Sequence, residues 1–156
     1  MHTRSWQETY RGILPEAYLD AMEWEERAAF WRERLTLEPA ANEATLVAVR
    51  EEAIVGFASI GPARDEDLDT ETTWELYAIY VLQKAQGTST GSGLLESALG
   101  CVPEQVRQLT LWVVSQNARA RAFYERKGFS VDVDAPEQVA ERGGTELVQV
   151  RYVATL

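Results

Sequence analysis

The chain predicts an α/β fold on a mixed sheet, and three observations carry that reading. Residues 73–81 (Thr-Trp-Glu-Leu-Tyr-Ala-Ile-Tyr-Val) are apolar, aromatic and β-branched, the composition of a strand buried on both faces. Just beyond, Gln86-Gly-Thr-Ser-Thr-Gly-Ser-Gly93 is a turn of glycines and hydroxyls opening an apolar-periodic helix over about 91–100. After Pro103 the alternation repeats, with a strand at 109–114 and a helix at 118–127. Strands and helices alternating at this spacing lay helices on a sheet, and 156 residues suffice for one domain with a real core.

Each element has its own signal. Residues 3–11 suit a short helix stopped by Gly12, with Trp6 and Tyr10 on one face. Pro15 suits the first position of a second helix, 15–22, whose buried stripe is Tyr18, Leu19 and Met22. A third, 24–36, carries Trp24, Ala28, Trp31 and Leu35 on one side and is expected to bury them. Residues 44–50 and 53–60 read as a hairpin turning at Glu51-Glu52, and Gly56 within it marks a bulge or a close backbone approach. An acidic loop, 64–71, follows. Late in the chain, Gly128 ends the 118–127 helix. A short strand at 129–133, a polar loop at 134–145 and an alternating strand at 146–155 complete it.

The totals exclude several chemistries. The formal charge of −10 leaves no basic stripe for nucleic acid and suits a cationic small substrate. The longest apolar runs fall well short of the roughly 18–20 residues of a membrane span, and the N-terminus has no signal-peptide core. The lone Cys101 precludes an internal disulfide; it is expected to be a buried, inert thiol in a cytoplasmic protein. His2 is the one histidine and is expected to fray, which removes histidine-based nucleophilic triads and histidine-ligated zinc, so no metal is expected.

The 86–93 turn has the physics of an anion cradle. Helix-start amides lack helical partners, the dipole adds partial positive charge, and glycine lets a phosphate approach the main chain. It lacks the Gly-Lys-Ser/Thr of a Walker loop and the third glycine of a dinucleotide fingerprint, which also sets aside a kinase.

Two motifs then agree on a family. Glu75-Leu-Tyr-Ala-Ile-Tyr-Val81 with Gln86-x-x-Ser-x-Gly91 resembles the acyl-CoA-binding motif of the GNAT superfamily of N-acetyltransferases, Gln/Arg-x-x-Gly-x-Gly/Ala. Asn117-Ala-Arg-Ala-Arg-Ala-Phe-Tyr-Glu-Arg-Lys-Gly-Phe129 resembles that family's Asn-x-x-Ala-x-x-Phe-Tyr-x-x-x-Gly-Phe at every specified position. Ser5–Pro15 is similar to the opening of many bacterial members. The resemblance implies one GNAT-like domain spanning 1–156, with a mixed, mostly antiparallel sheet flanked by helices and the usual first strand missing. A partner chain in a homodimer, or a rearranged terminus, is then expected to cover the bared hairpin edge.

The resemblance also implies acetyl-CoA as co-substrate, an amine acceptor and direct attack through a ternary complex. The main chain of Ile79, Tyr80 and Val81 would hold the pantetheine arm. Gln86, Gly87, Thr88, Ser89, Thr90, Gly91 and Ser92 would cradle the pyrophosphate. Asn117 would touch the pantetheine side. Tyr124 would be the general acid to the departing thiolate, and Glu75 the general base. Ser89 stands where the pattern has glycine; were a positive φ required there, its Cβ would cost about 1 kcal/mol and weaken cofactor binding. Ser89 and the missing strand are the features that favour the alternative, a non-catalytic acyl-CoA sensor or interaction module.

Overall fold

In the computed structural model, which describes residues 1–36 and 42–156, three helices open the chain: α1 (His2–Tyr10), α2 (Glu16–Asp20) and α3 (Trp24–Thr36). A hairpin follows, β1 (Ala44–Arg50) and β2 (Ala53–Pro62), and then β3 (Thr73–Val81). α4 (Thr90–Leu99), β4 (Gln108–Val114) and α5 (Ala118–Arg126) continue the alternation. β5 (Ser130–Val131), β6 (Gln138–Arg142) and β7 (Thr145–Thr155) close it. The seven strands form one sheet in the order β1-β2-β3-β4-β7-β5, with β6 also on β7. Only β3 and β4 run parallel.

One face of the sheet packs against α4 and α5 through Ile60, Leu76, Leu95, Leu111 and Tyr152, all nearly inaccessible. The other receives α1 and α2, and Tyr10, Leu19 and Leu14 of the turn between them meet Val114 and Leu147. Among the described residues no strand precedes β1, so its outer edge is unpaired.

Several expectations are corrected. The 134–145 loop contains β6, because Gly143 and Gly144 adopt φ of 57° and 74° and close a tight hairpin with β7. Trp24 and Leu35 are 61% and 70% exposed, since α3 presents Arg27, Ala28, Trp31 and Arg34 inward and none of the described residues covers its outer side. Cys101 is exposed, because α4 ends at Leu99 and leaves it in the following turn. His2 does not fray: it starts α1, stacks edge-on against Phe57 and accepts a hydrogen bond from Trp31 Nε1 through Nδ1 at 3.1 Å. Burial, with Arg27 and the N-terminal ammonium nearby, pushes its pKa down to about 4.

Candidate active site

β3 and β4 begin side by side and then part. They pair at Thr73–Gln108, Trp74–Leu109 and Glu75–Thr110, and nowhere beyond. A bulge helps: Ser59 and Ile60 of β2 face Ala78 and Leu76, which leaves Tyr77 as an extra residue on β3. The Tyr77 hydroxyl donates to the Pro62 carbonyl at 2.7 Å and fixes the kink. Past it, β3 keeps its bonds to β2, and among the described residues no strand pairs with its other edge. Leu82 N–H donates to the Val55 carbonyl at 2.8 Å, so alternation along the ladder turns Tyr80 toward β2 as well. The main-chain groups of Ile79 and the N–H of Val81 are left without a strand partner among the described residues. Of the three residues expected along the pantetheine arm, Ile79 and Val81 have main chain directed away from β2, whereas the main chain of Tyr80 is turned toward it.

At the far end of this opening lies the 86–92 turn. Among the described residues, no acceptor is bonded to the amides of Gly87, Thr88, Ser89, Gly91 or Ser92. The first closed bond of α4 is Gly93 N–H to the Ser89 carbonyl at 2.8 Å. Thr88 Oγ1 donates to the Ala85 carbonyl at 2.7 Å and braces the loop. These free donors at the start of a ten-residue helix are suited to an anion. Positive φ falls on Gly87, at 75°, whereas Ser89 sits at φ −68°. The strain anticipated at Ser89 is therefore absent. Gln86 has a different task from its neighbours: its Nε2 donates to the Val81 carbonyl at 2.7 Å and ties the turn to the strand.

Tyr124 comes from α5 into the core beneath the opening, against Phe123, Phe129 and Tyr152. Burial, then the charge of the Tyr10 phenol, pushes its hydroxyl well above a tyrosine's ordinary range, so it is a protonated donor at neutral pH. Tyr10 and Tyr80 are raised in the same way, chiefly by burial, and Trp6 Nε1 donates to the Tyr80 hydroxyl at 2.8 Å. Trp6, Tyr10 and Tyr80 thus gather polar tips within the packed interface of α1 and β3, with Tyr124 in the core nearby. The sequence signal for this is the four-residue spacing that puts Trp6 and Tyr10 on one face of α1.

Glu75 stands where the two strands part. Only 9% of it is exposed. Burial raises its carboxyl above the usual range, opposed by the Arg64 amide, which donates to Oε2 at 3.2 Å. Asn117 caps α5, its side chain accepting from Ala120 N–H at 3.1 Å, which occupies the carbonyl oxygen and leaves the amide nitrogen for another partner.

Arg151 was not singled out from the sequence. Its guanidinium, 4% exposed, reaches Asp65, Asp67 and Asp132 at 3.0, 2.6 and 2.9 Å. The acidic loop is therefore held to the sheet rather than simply solvated. A cavity of about 520 Å³ lies over this network, lined by Arg64, Asp67, Trp112, Asp134, Gln138 and Arg151 among others. An arginine in the run Val-Gln-Val-Arg-Tyr-Val was the available signal, since a charge on a buried face requires partners.

A strand pair that splays open, a donor-rich turn at its end and a buried phenol on α5 are the features of a candidate acyltransferase site. The sequence model of the Acetyltransferase (GNAT) family matches residues 3–129, and the chain belongs to that family. It is 32% identical over 143 residues, 90% of this chain and 73% of the other, to the uncharacterized N-acetyltransferase YuaI of Bacillus subtilis. Among solved structures, the PaiA N-acetyltransferase of Thermoplasma acidophilum in complex with coenzyme A superposes with a TM-score of 0.70 at 20% identity, over 99% of this chain and 87% of that one. YncA of Salmonella typhimurium, a putative acetyltransferase with acetyl-CoA, does so with a TM-score of 0.64 at 21% identity, over 99% and 86%. Among the described residues no helix is long and apolar enough to cross a membrane.

Proposed function

We propose that the protein transfers an acetyl group from acetyl-CoA to an amine by direct attack within a ternary complex. The observation that carries this reading is the parting of β3 from β4 after Glu75, which bares strand edge between a carboxylate and an anion-binding turn. The amides of Gly87, Thr88, Ser89, Gly91 and Ser92 take the pyrophosphate, and the bared N–H groups of Ile79 and Val81 hold the pantetheine arm and polarise the thioester carbonyl. A primary alkylamine, with pKa near ~10.4, is mostly protonated at neutral pH and must lose a proton before it attacks. Glu75, with its raised pKa, accepts that proton. The amine nitrogen bonds to the acetyl carbon, the C–S bond breaks, the Tyr124 hydroxyl protonates the departing thiolate, and the second proton of the nitrogen restores the Tyr124 phenol. Asn117 orients α5 and offers its amide nitrogen toward the arm.

Acetyl-CoA at about 100-fold over its Kd raises stability by about 2.7 kcal/mol, read as a rise in melting temperature. A thiol-release screen over amines, amino acids, aminoglycosides and protein N-termini then identifies the acceptor. No thermal shift at millimolar acetyl-CoA defeats the proposal. The unpaired edge of β1 supports self-association through that strand, and a monomer by sedimentation refutes it.

A further inference from the structure

We propose that Arg151 is a positioning residue for Glu75, acting through the 64–67 segment that it pins to the sheet; this rests on reading Glu75 as the base. The connection is continuous. From β7, the Arg151 guanidinium grips Asp67 with two nitrogens at 2.9 and 2.6 Å and Asp65 Oδ2 at 3.0 Å. The same Oδ2 accepts from Trp112 Nε1 of β4 at 2.9 Å, so two strands fix the loop. Asp132, just after β5, secures the guanidinium from behind at 2.9 Å through Nε. The neighbour of Asp65 is Arg64, whose backbone N–H is the donor to Glu75 Oε2. The Arg64 side chain lies over the Tyr77 ring at 3.4 Å and so anchors the same segment to the bulge of β3.

This arrangement exceeds what loop anchoring requires. A buried guanidinium costs desolvation unless nearly all its donors are met, and here three carboxylates meet them. The charged and titratable groups around Glu75 are Arg64 and Asp65 on the loop, Arg151 on β7 and Tyr77 on β3. Removing Arg151 takes away a cation, frees the Asp65 charge and loosens the Arg64 amide. All three changes disfavour the Glu75 carboxylate, so they share one sign.

The test compares Arg151→Gln, Asp67→Asn and Glu75→Gln by the pH dependence of kcat/KM and by carbon-13 NMR titration of the Glu75 carboxyl. Arg151→Gln is expected to raise both midpoints by roughly half a unit to one unit. It should lower kcat about tenfold through misplacement of the base, and leave acetyl-CoA affinity within about twofold, because the cradle is remote. Asp67, with a side chain 56% exposed, gives the second variant: Asp67→Asn removes an anion and leaves the Arg151 cation less neutralised, so the Glu75 midpoint should fall, and this holds as a readout even if Arg151→Gln does not fold. A folded Arg151→Gln or Asp67→Asn protein with an unmoved NMR midpoint overturns the inference. A moved NMR midpoint supports it even where the rate profile stays put or Glu75→Gln keeps full rate; those results refute only the assignment of Glu75 as base.

Discussion

Glu75 and Thr110 are the last residues at which β3 and β4 lie side by side, and Thr110 Oγ1 donates to the carbonyl of Trp74 at 3.2 Å just below the fork. A buried threonine stitches the strands together there, and a bulge at Tyr77 bends β3 away one step later. The candidate base and the bared strand edge are thus consequences of one local event.

Replacing Tyr124 by Phe removes the hydroxyl and keeps the ring that packs on Phe129 and Tyr152. The expected result is a kcat lower by roughly 10²-fold with a near-normal melting temperature. An unchanged kcat would return Tyr124 to the role of a packing residue.

Glycine is needed at 87 and not at 89. Gly87→Ala meets no atom within 4 Å, so its cost is backbone strain alone, about 1 kcal/mol, or a fall of about 2–4 °C in melting temperature. Ser89→Gly should leave the acetyl-CoA Kd within about twofold, because its φ of −68° suits any residue. A large gain in affinity from Ser89→Gly by calorimetry contradicts this.

Glu75→Gln should trade activity for stability. The folded-state pKa of Glu75 is raised, so the folded protein binds its proton more tightly than the unfolded chain. The stability linked to Glu75 is fully present below the unfolded value of about 4.3 and is lost as pH rises through the folded value. The variant should match the parent's melting temperature at acid pH, exceed it at pH 8, and lose roughly 10²-fold in kcat/KM. A stabilisation confined to low pH would reverse the sign and refute the assignment.

The β1–β2 hairpin turns on two non-glycine residues in the left-handed region, Glu51 at φ 49° and Glu52 at φ 60°. Asn-Gly at these positions relieves that strain and the repulsion between the two charges. A gain of about 1–2 kcal/mol in denaturant unfolding is expected, with turnover unaffected because the turn is remote from the fork. No gain would mean that tertiary contacts already absorb the strain.

Most of the fold was legible because its signals are local. The run 73–81, the glycines closing α1 and α5, and the periodicity of α4 each act within a few residues, and the elements formed within one or two positions of where those signals fall. Gly56 was also readable: a Cβ there would meet the Tyr80 carbonyl at 2.9 Å. The motif residues at 75, 86–92, 117 and 124 were placed by resemblance.

What the chain could not show by itself was which side of an element has something to pack against. The exposure of Trp24 depends on an absent neighbour, the ordering of His2 on Phe57 and Trp31, and the function suggested for Arg151 on carboxylates 86 and 84 residues away. Backbone propensity is written residue by residue and can be read along the line. Desolvation and charge pairing act through space, so the environments of Glu75, Tyr124 and Arg151 existed only once the sheet had brought distant segments together.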